Sequence, residues 1–354
     1  MDRSGSLGGG ATTAGVFRCE TPDGASVLFK EYRPEICAEV DPDALRRHVW
    51  WRQRLPPSKR RSLDSLAAWP ITAVRRERAV IGVLMNEAPR AFFEEADSGK
   101  ARDLSVLVQD ADYSARFDSP YYPPPRKLAA LGHLLESLAF FHDLGVVVGD
   151  LQPRNILTTG LGDVPRVYFL DCDAYVVSGN SPFRSAREPV PWQVPGADGF
   201  SEHTDLYKAA LMVARCLDES MALRGLTPRM FSDVLPSADV RLLCRLTRPD
   251  PALRSAVRAA QLRPTARGWQ SLVKEDGTLY VRNDTYAMVR WPLPPRGSDT
   301  AGRNSAEPPQ ADDISLGQMD DAVLWDQPDD FAGPRKRWLR RLLDLFRWSP
   351  ERDD

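Results

Sequence analysis

The chain has 354 residues, 42% of them hydrophobic and 27% charged, with 47 Lys and Arg against 49 Asp and Glu for a net charge of −2. That apolar share buries a real core and excludes wholesale disorder, and the length corresponds to roughly two domains of ~100–200 residues each. The near-neutral balance excludes a protein whose main task is to coat nucleic acid, which needs a net basic face, so no nucleic-acid partner is expected.

The five cysteines, Cys19, Cys37, Cys172, Cys216 and Cys244, are far apart and include no C-x-x-C pair. Neither a zinc knuckle nor a disulfide framework follows. The opening MDRSGSLGGG has no apolar run of the secretory kind, and no stretch approaches the about 20 apolar residues of a spanning helix. The expectation is a reduced, cytoplasmic protein.

In chain order, β-rich runs come first: GVFRCE, SVLFKEY and AVIGVLM, separated by Gly or charged turns. A helix is predicted over DPDALRRHVWWRQRL after the second run. From Leu128 the pattern is helical, with Leu128, Leu131, Leu134, Leu135, Leu138 and Phe141 at three- and four-residue spacing and Gly145 where a helix would stop. Trp69 and Pro70 in AAWP read as a core contact, and YYPPP at Tyr121 to Pro125 as a stiff connector. At Trp291 the composition changes to a Pro-, Ser- and Gly-rich linker that runs into an acidic stretch with Asp320, Asp321, Asp326, Asp329 and Asp330. The last element, PRKRWLRRLLDLFRW, has Trp338, Leu339, Leu342, Leu343, Leu345 and Phe346 on one face and six basic residues largely opposite. It is predicted as a basic amphipathic helix over 334–349, suited to an anionic membrane surface such as the inner membrane face, or to a protein groove.

The densest chemical signal is VVVGDLQPRNIL followed by VYFLDCDAY. Asp150 and Asn155 lie five apart across a Pro-containing loop, and a β-run ending at Asp171 follows. Phosphoryl transfer needs such a set: one carboxylate for the attacking hydroxyl, plus an amide oxygen and a second carboxylate to hold Mg²⁺ on the phosphates. The plain alternative is an ordinary turn pair, because Asp and Asn favour turns.

These residues resemble the protein kinase superfamily, whose catalytic loop reads H-R-D-x-x-x-x-N and whose metal motif reads D-F-G. Asp150 and Asn155 match the loop, and Asp171-Cys172-Asp173 stands at the D-F-G position, with only the first Asp expected to meet the metal. LAFFHDLGVVVGDL is similar to the helix and strand that lead into the loop, with His142 as the helix histidine. Asp205 in HTDLYKAALMVARCL matches an anchoring aspartate, and Arg263 in RPTARGW the close of the large lobe. Lys30 in SVLFKEY resembles the strand lysine that pairs with the phosphates. The resemblance implies Met85 as gatekeeper and the backbone of Asn86 and Ala88 against adenine. Gly8, Gly9 and Gly10 lie where a glycine-rich loop is wanted, although a plain terminal linker reads the same way. GDLQPRNIL with LDCDAY and AAWPITAV is similar, more narrowly, to a bacterial group of atypical kinases, some fused to helix-hairpin-helix domains.

The resemblance therefore implies a two-lobed α+β fold, with a small β-rich lobe over 5–88 and a helical lobe over 89–290, followed by the linker over 291–333 and the terminal helix. It implies Ser/Thr protein kinase activity with ATP and Mg²⁺ as cofactors, Asp150 as base, Asn155 and Asp171 as metal ligands and Lys30 as phosphate clamp. A protein substrate or regulatory partner goes with that reading. The chain departs from the family in three places: the helix after Lys30 has no glutamate in its body, with Glu35 and Glu39 lying before it; Gly149 replaces the arginine before Asp150; and no A-P-E follows. A pseudokinase scaffold and a small-molecule kinase stay open beside it.

Overall fold

The computed structural model describes Gly9 and residues 12–274 apart from 22–25, 78, 95–99, 184–188, 228, 232–233, 251–253 and 255–256, together with 279–280 and 290–291. The chain divides into two units, Met1–Leu293 and Pro294–Asp354. The linker over 291–333, apart from the strand residue Trp291, and the helix over 334–349 lie outside the described residues, as do Gly8 and Gly10.

The described residues form a mixed α/β structure with a four-stranded antiparallel sheet and eight α-helices. The sheet is built from β1 (Thr13–Glu20), β2 (Ser26–Tyr32), β3 (Pro70–Arg76) and β4 (Ala79–Met85), in the order β1-β2-β4-β3. In β2, Val27 and Phe29 join Cys19 and Leu84 in one cluster, while Leu28, Lys30 and Tyr32 alternate onto the opposite face. Lys30 is paired on both sides, with Val16 of β1 and Val83 of β4. At Gly82 a Cβ would strike the carbonyl of Lys30, so β4 can lie this close only with glycine there.

Two short helices and one longer helix fill the interval between β2 and β3: α1 (Pro34–Cys37), α2 (Pro42–Arg54) and α3 (Pro57–Leu66). The predicted helix is α2. Asp41 caps it by accepting hydrogen bonds from the N–H groups of Asp43 and Ala44, and Pro42 pre-sets the first turn. Its Ala44, Leu45, His48 and Val49 are buried. Strand β3 was not anticipated: it sits on a sheet edge, where its leading Pro70 and exposed Arg75 and Arg76 are tolerated.

The remainder is mostly helical. Helix α4 (Ala111–Arg116) precedes α5 (Pro124–Asp143), the predicted helix, which starts earlier than expected: Pro124 and Pro125 of the expected Tyr121–Pro125 connector form its first turn, where proline's fixed φ is tolerated. Helices α6 (Glu202–Asp218), α7 (Ser237–Leu246) and α8 (Arg263–Gln270) pack with it around one large core, in which Trp69, Leu134, Phe141, Leu206 and Met212 are buried. Between α5 and α6 run short ladders: β5 (Val146–Val147) with β8 (Val176–Val177), and β6 (Ile156–Thr158) with β7 (Val167–Phe169). No described helix is long and apolar enough to cross a membrane.

Candidate active site

The β6–β7 ladder delivers the site. Ile156 faces Phe169 across it, and the Asn155 carbonyl accepts from the Leu170 N–H at 2.8 Å, so the Asp150–Asn155 loop lies beside the Asp171-Cys172-Asp173 turn. Sequence spacing alone suggested this pairing, and backbone hydrogen bonds make it.

The loop is held from below. Asp205, fully buried near the start of α6, accepts from the N–H groups of Val148 at 2.8 Å and Gly149 at 2.9 Å and from His142 Nε2 at 3.0 Å. One carboxylate thus fixes two consecutive backbone donors, which would otherwise be buried unpaired. Gly149 has φ +76°, and a Cβ there would meet the Phe200 ring at 2.5 Å. Lys208 completes the support: its ammonium donates to the Gly149 carbonyl at 2.5 Å and lies 4.8 Å from the centre of the Phe200 ring. Phe200 and Lys208 were not singled out from sequence, because nothing local marks a residue some fifty positions away as filler for a missing side chain.

The Asp150 carboxylate accepts from Gln152 Nε2 at 2.9 and 2.8 Å and from Asn155 Nδ2 at 2.8 Å. Burial raises its pKa above the ordinary carboxylate value; those hydrogen bonds and the Lys208 charge oppose that shift without cancelling it. Asn155 Nδ2 also donates to the Asp150 carbonyl at 3.0 Å.

Lys30, 3% exposed, donates to Asp171 Oδ1 at 3.0 Å and to Asp173 Oδ1 at 2.8 Å. Burial alone would lower its pKa, but the attraction of Asp171 and Asp173 outweighs burial and raises it. The partners of Lys30 are therefore not Glu35 or Glu39. The two aspartates differ: Asp171 adopts a left-handed conformation at φ 53° with its side chain 47% exposed, whereas Asp173, two residues on, is 1% exposed. Its other oxygen accepts from the Tyr32 hydroxyl at 2.8 Å. Burial, and then Asp173, push the Tyr32 pKa well above its ordinary value, so the phenol is a donor throughout the working range.

Cys172 is buried between the aspartates, and burial raises its thiol pKa, so it fills space as an apolar residue. Its carbonyl lies 2.8 Å from His48 Nε2 of α2. Because a carbonyl only accepts, Nε2 carries the proton. Burial lowers the His48 pKa to about 4, and the neutral ring stacks on Trp69 at 4.4 Å.

Next to Lys30 is an apolar cluster of Leu28, Ala68, Met85, Phe92, Leu157 and Tyr168, with Val16, Ala88 and Leu170 packed against it. Met85 ends β4, and Asn86 and Ala88 lie half-buried in the extended stretch that follows. Met85 and Ala88, two of the three positions expected against the base, lie in or against that cluster, and Asn86 lies between them in the chain. Leu157 and Leu170, in or packed against the same cluster, were not singled out from sequence. Gly9 is exposed before β1, where a Cβ would meet the backbone of Thr13 and Ala14.

No known family model matches the chain, and no curated protein does. The site stands on its own geometry: a buried cation on a strand, a half-exposed carboxylate, an amide and a second, hydrogen-bonded carboxylate beside an apolar cluster.

Proposed function

We propose that the chain is an ATP- and Mg²⁺-dependent phosphotransferase acting on Ser or Thr of a protein, on a two-lobed kinase-like fold. The observation that carries this reading is the Lys30–Asp171–Asp173 ion-pair set lying beside Asp150 and Asn155. Phosphoryl transfer is catalysed chiefly by positioning and by charge placed against the transferring group.

The donor set fits Mg²⁺. Among the described residues there is no group of three or more His, Cys, Asp or Glu that could hold a metal ion. Mg²⁺ asks for less, since it keeps several waters and takes one or two protein carboxylates together with substrate phosphates. The half-exposed Asp171 and the Asn155 amide oxygen are the ligands this site offers. The apolar cluster around Leu28 and Met85 offers the base a dry slot.

When bound, Mg-ATP supplies the phosphoryl group and the counter-charge for its oxygens. Lys30 places a permanent positive charge against the phosphates. Asp150 orients the incoming hydroxyl and accepts its proton, and the Gln152 and Asn155 donors keep the carboxylate turned for that task. Asp205 and Lys208 hold the loop that carries it.

Thermal unfolding tests the reading. ATP at about 100 times Kd adds about 2.7 kcal/mol to a protein that binds it only when folded. A Mg²⁺-dependent rise in melting temperature is expected, and none at millimolar ATP would overturn the proposal. A scaffold that binds nucleotide without transfer would show the same rise but no phosphoryl transfer by the wild-type chain.

A further inference from the structure

The helix α2 offers no acidic side chain to Lys30. Its body carries Arg46, Arg47, His48, Arg52 and Arg54, and its Asp43 pairs with Arg46 at 2.8 Å. Yet Lys30 is fully enclosed and charged, and a buried ammonium is tolerated only when a carboxylate meets it. We propose that Asp173 is the positioning residue for Lys30, so that the lysine is aimed by the turn that also carries Asp171 and not by α2. The proposal rests on the phosphotransferase reading above.

Three observations support it. First, Asp173 spends both oxygens on β2: Oδ1 accepts from Lys30 and Oδ2 from Tyr32, each at 2.8 Å. Lys30 and Tyr32 are two apart on one strand and share a face, so a single carboxylate grips the strand at two points. Second, the two aspartates sit in different surroundings: Asp171 is half exposed and can turn from Lys30 to a cation, whereas Asp173 is buried and holds both Lys30 and Tyr32. A divalent ion that draws Asp171 away leaves Lys30 on Asp173. Third, α2 reaches this turn through His48 and the Cys172 carbonyl, a neutral contact with backbone that braces the turn and leaves the ammonium alone.

One consequence is that displacement of α2 does not by itself break the lysine's ion pair. The same three-residue turn sets both the metal ligand and the phosphate-facing cation.

A double-mutant cycle on the full chain tests this, reading kcat/KM for ATP from autophosphorylation or ATP hydrolysis well below the melting temperature. D173N keeps the shape of the side chain and removes its charge. It is expected to lower kcat/KM by about tenfold or more, and the K30M/D173N double variant to lie within about twofold of K30M, because each change removes the same interaction. A residue that merely supports the fold would instead multiply with K30M. Y32F, which frees one Asp173 oxygen without unpairing Lys30, is expected to give a smaller loss of about threefold and the same non-additivity. If D173N does not fold, the cycle of Y32F with K30M decides. Wild-type-like kcat/KM in D173N or Y32F with K30M impaired, or losses that multiply, would overturn the positioning role and leave the phosphotransferase reading intact. Absence of Mg-ATP binding by the wild-type chain would overturn the reading itself and the proposal with it.

Discussion

The two ends of the site are built on opposite plans. At the β2 end, Lys30, Tyr32 and Asp173 are buried, with Lys30 and Tyr32 each donating to one Asp173 oxygen while Lys30 also reaches Asp171. At the loop end, Asp171 is half exposed, and Asp150 is held by side-chain amides that leave room for a further partner. In a dry setting an ion pair is strong but costly to break; in a wet one it is weak and exchangeable. The difference teaches that two carboxylates two residues apart serve distinct purposes. The left-handed backbone at Asp171 sends one side chain out, and the turn Cys172–Ala174 that follows sends the other in.

The largest effect is expected at Asp150. Asp150→Asn is expected to cut turnover by about 10²–10⁴ while Mg-ATP binding stays within about twofold, because the base acts in transfer and not in binding. A wild-type rate would remove Asp150 from the chemistry. Since burial raises its pKa and the base must be ionised, wild-type turnover should fall as pH drops, with a midpoint above the ordinary carboxylate value of 3.8.

Stability sharpens the contrast between the two aspartates. Asp173→Ala should cost about 3–5 kcal/mol in chemical denaturation, as expected for a buried pair that loses a partner. Asp171→Ala should cost under about 1 kcal/mol, because its side chain is half in water and Lys30 retains Asp173. Equal costs would erase the distinction.

His48 braces the sealed end from α2 and should show in acid. Its pKa falls from 6.5 to about 4 in the folded chain, so between those values the unfolded chain binds more protons and stability is lost as pH falls. The loss reaches up to about 3 kcal/mol at pH 4 and grows no further below it. His48→Gln should flatten the melting-temperature profile between pH 6.5 and 4; an unchanged slope would mean that the ring is not neutral and buried as described.

A further effect is expected under the loop end. Gly149→Ala combines a positive φ with contact on the Phe200 ring and should cost about 1–3 kcal/mol. Phe200→Ala in the same chain should recover part of that cost, and no recovery would separate Gly149 from Phe200.

Much of the site was legible before folding. Lys30 stood in a β-like run, Asp150 and Asn155 were five apart after Val146, Val147 and Val148, and Asp171 ended a strand. Local spacing and alternation place these residues on turns or strands formed by their own neighbours, while their expected roles came from the family resemblance. Helix α2 was equally expected, over DPDALRRHVWWRQRL. Strand β3 was not, since an edge strand with Pro70 and two exposed arginines has little alternation to display.

Local pattern along the chain therefore sets the order of the elements and the residues that carry charge at their ends. The tertiary structure alone decided which charges meet. Lys30 and Asp173 are 143 positions apart and Tyr32 and Asp173 are 141 apart, and the helix in which a glutamate was sought supplies His48 instead. A buried cation takes whichever carboxylate the packed chain brings within hydrogen-bond reach, because desolvation penalises it until one arrives. That choice is settled by packing around β2 and β7, and no local pattern in the chain encodes it.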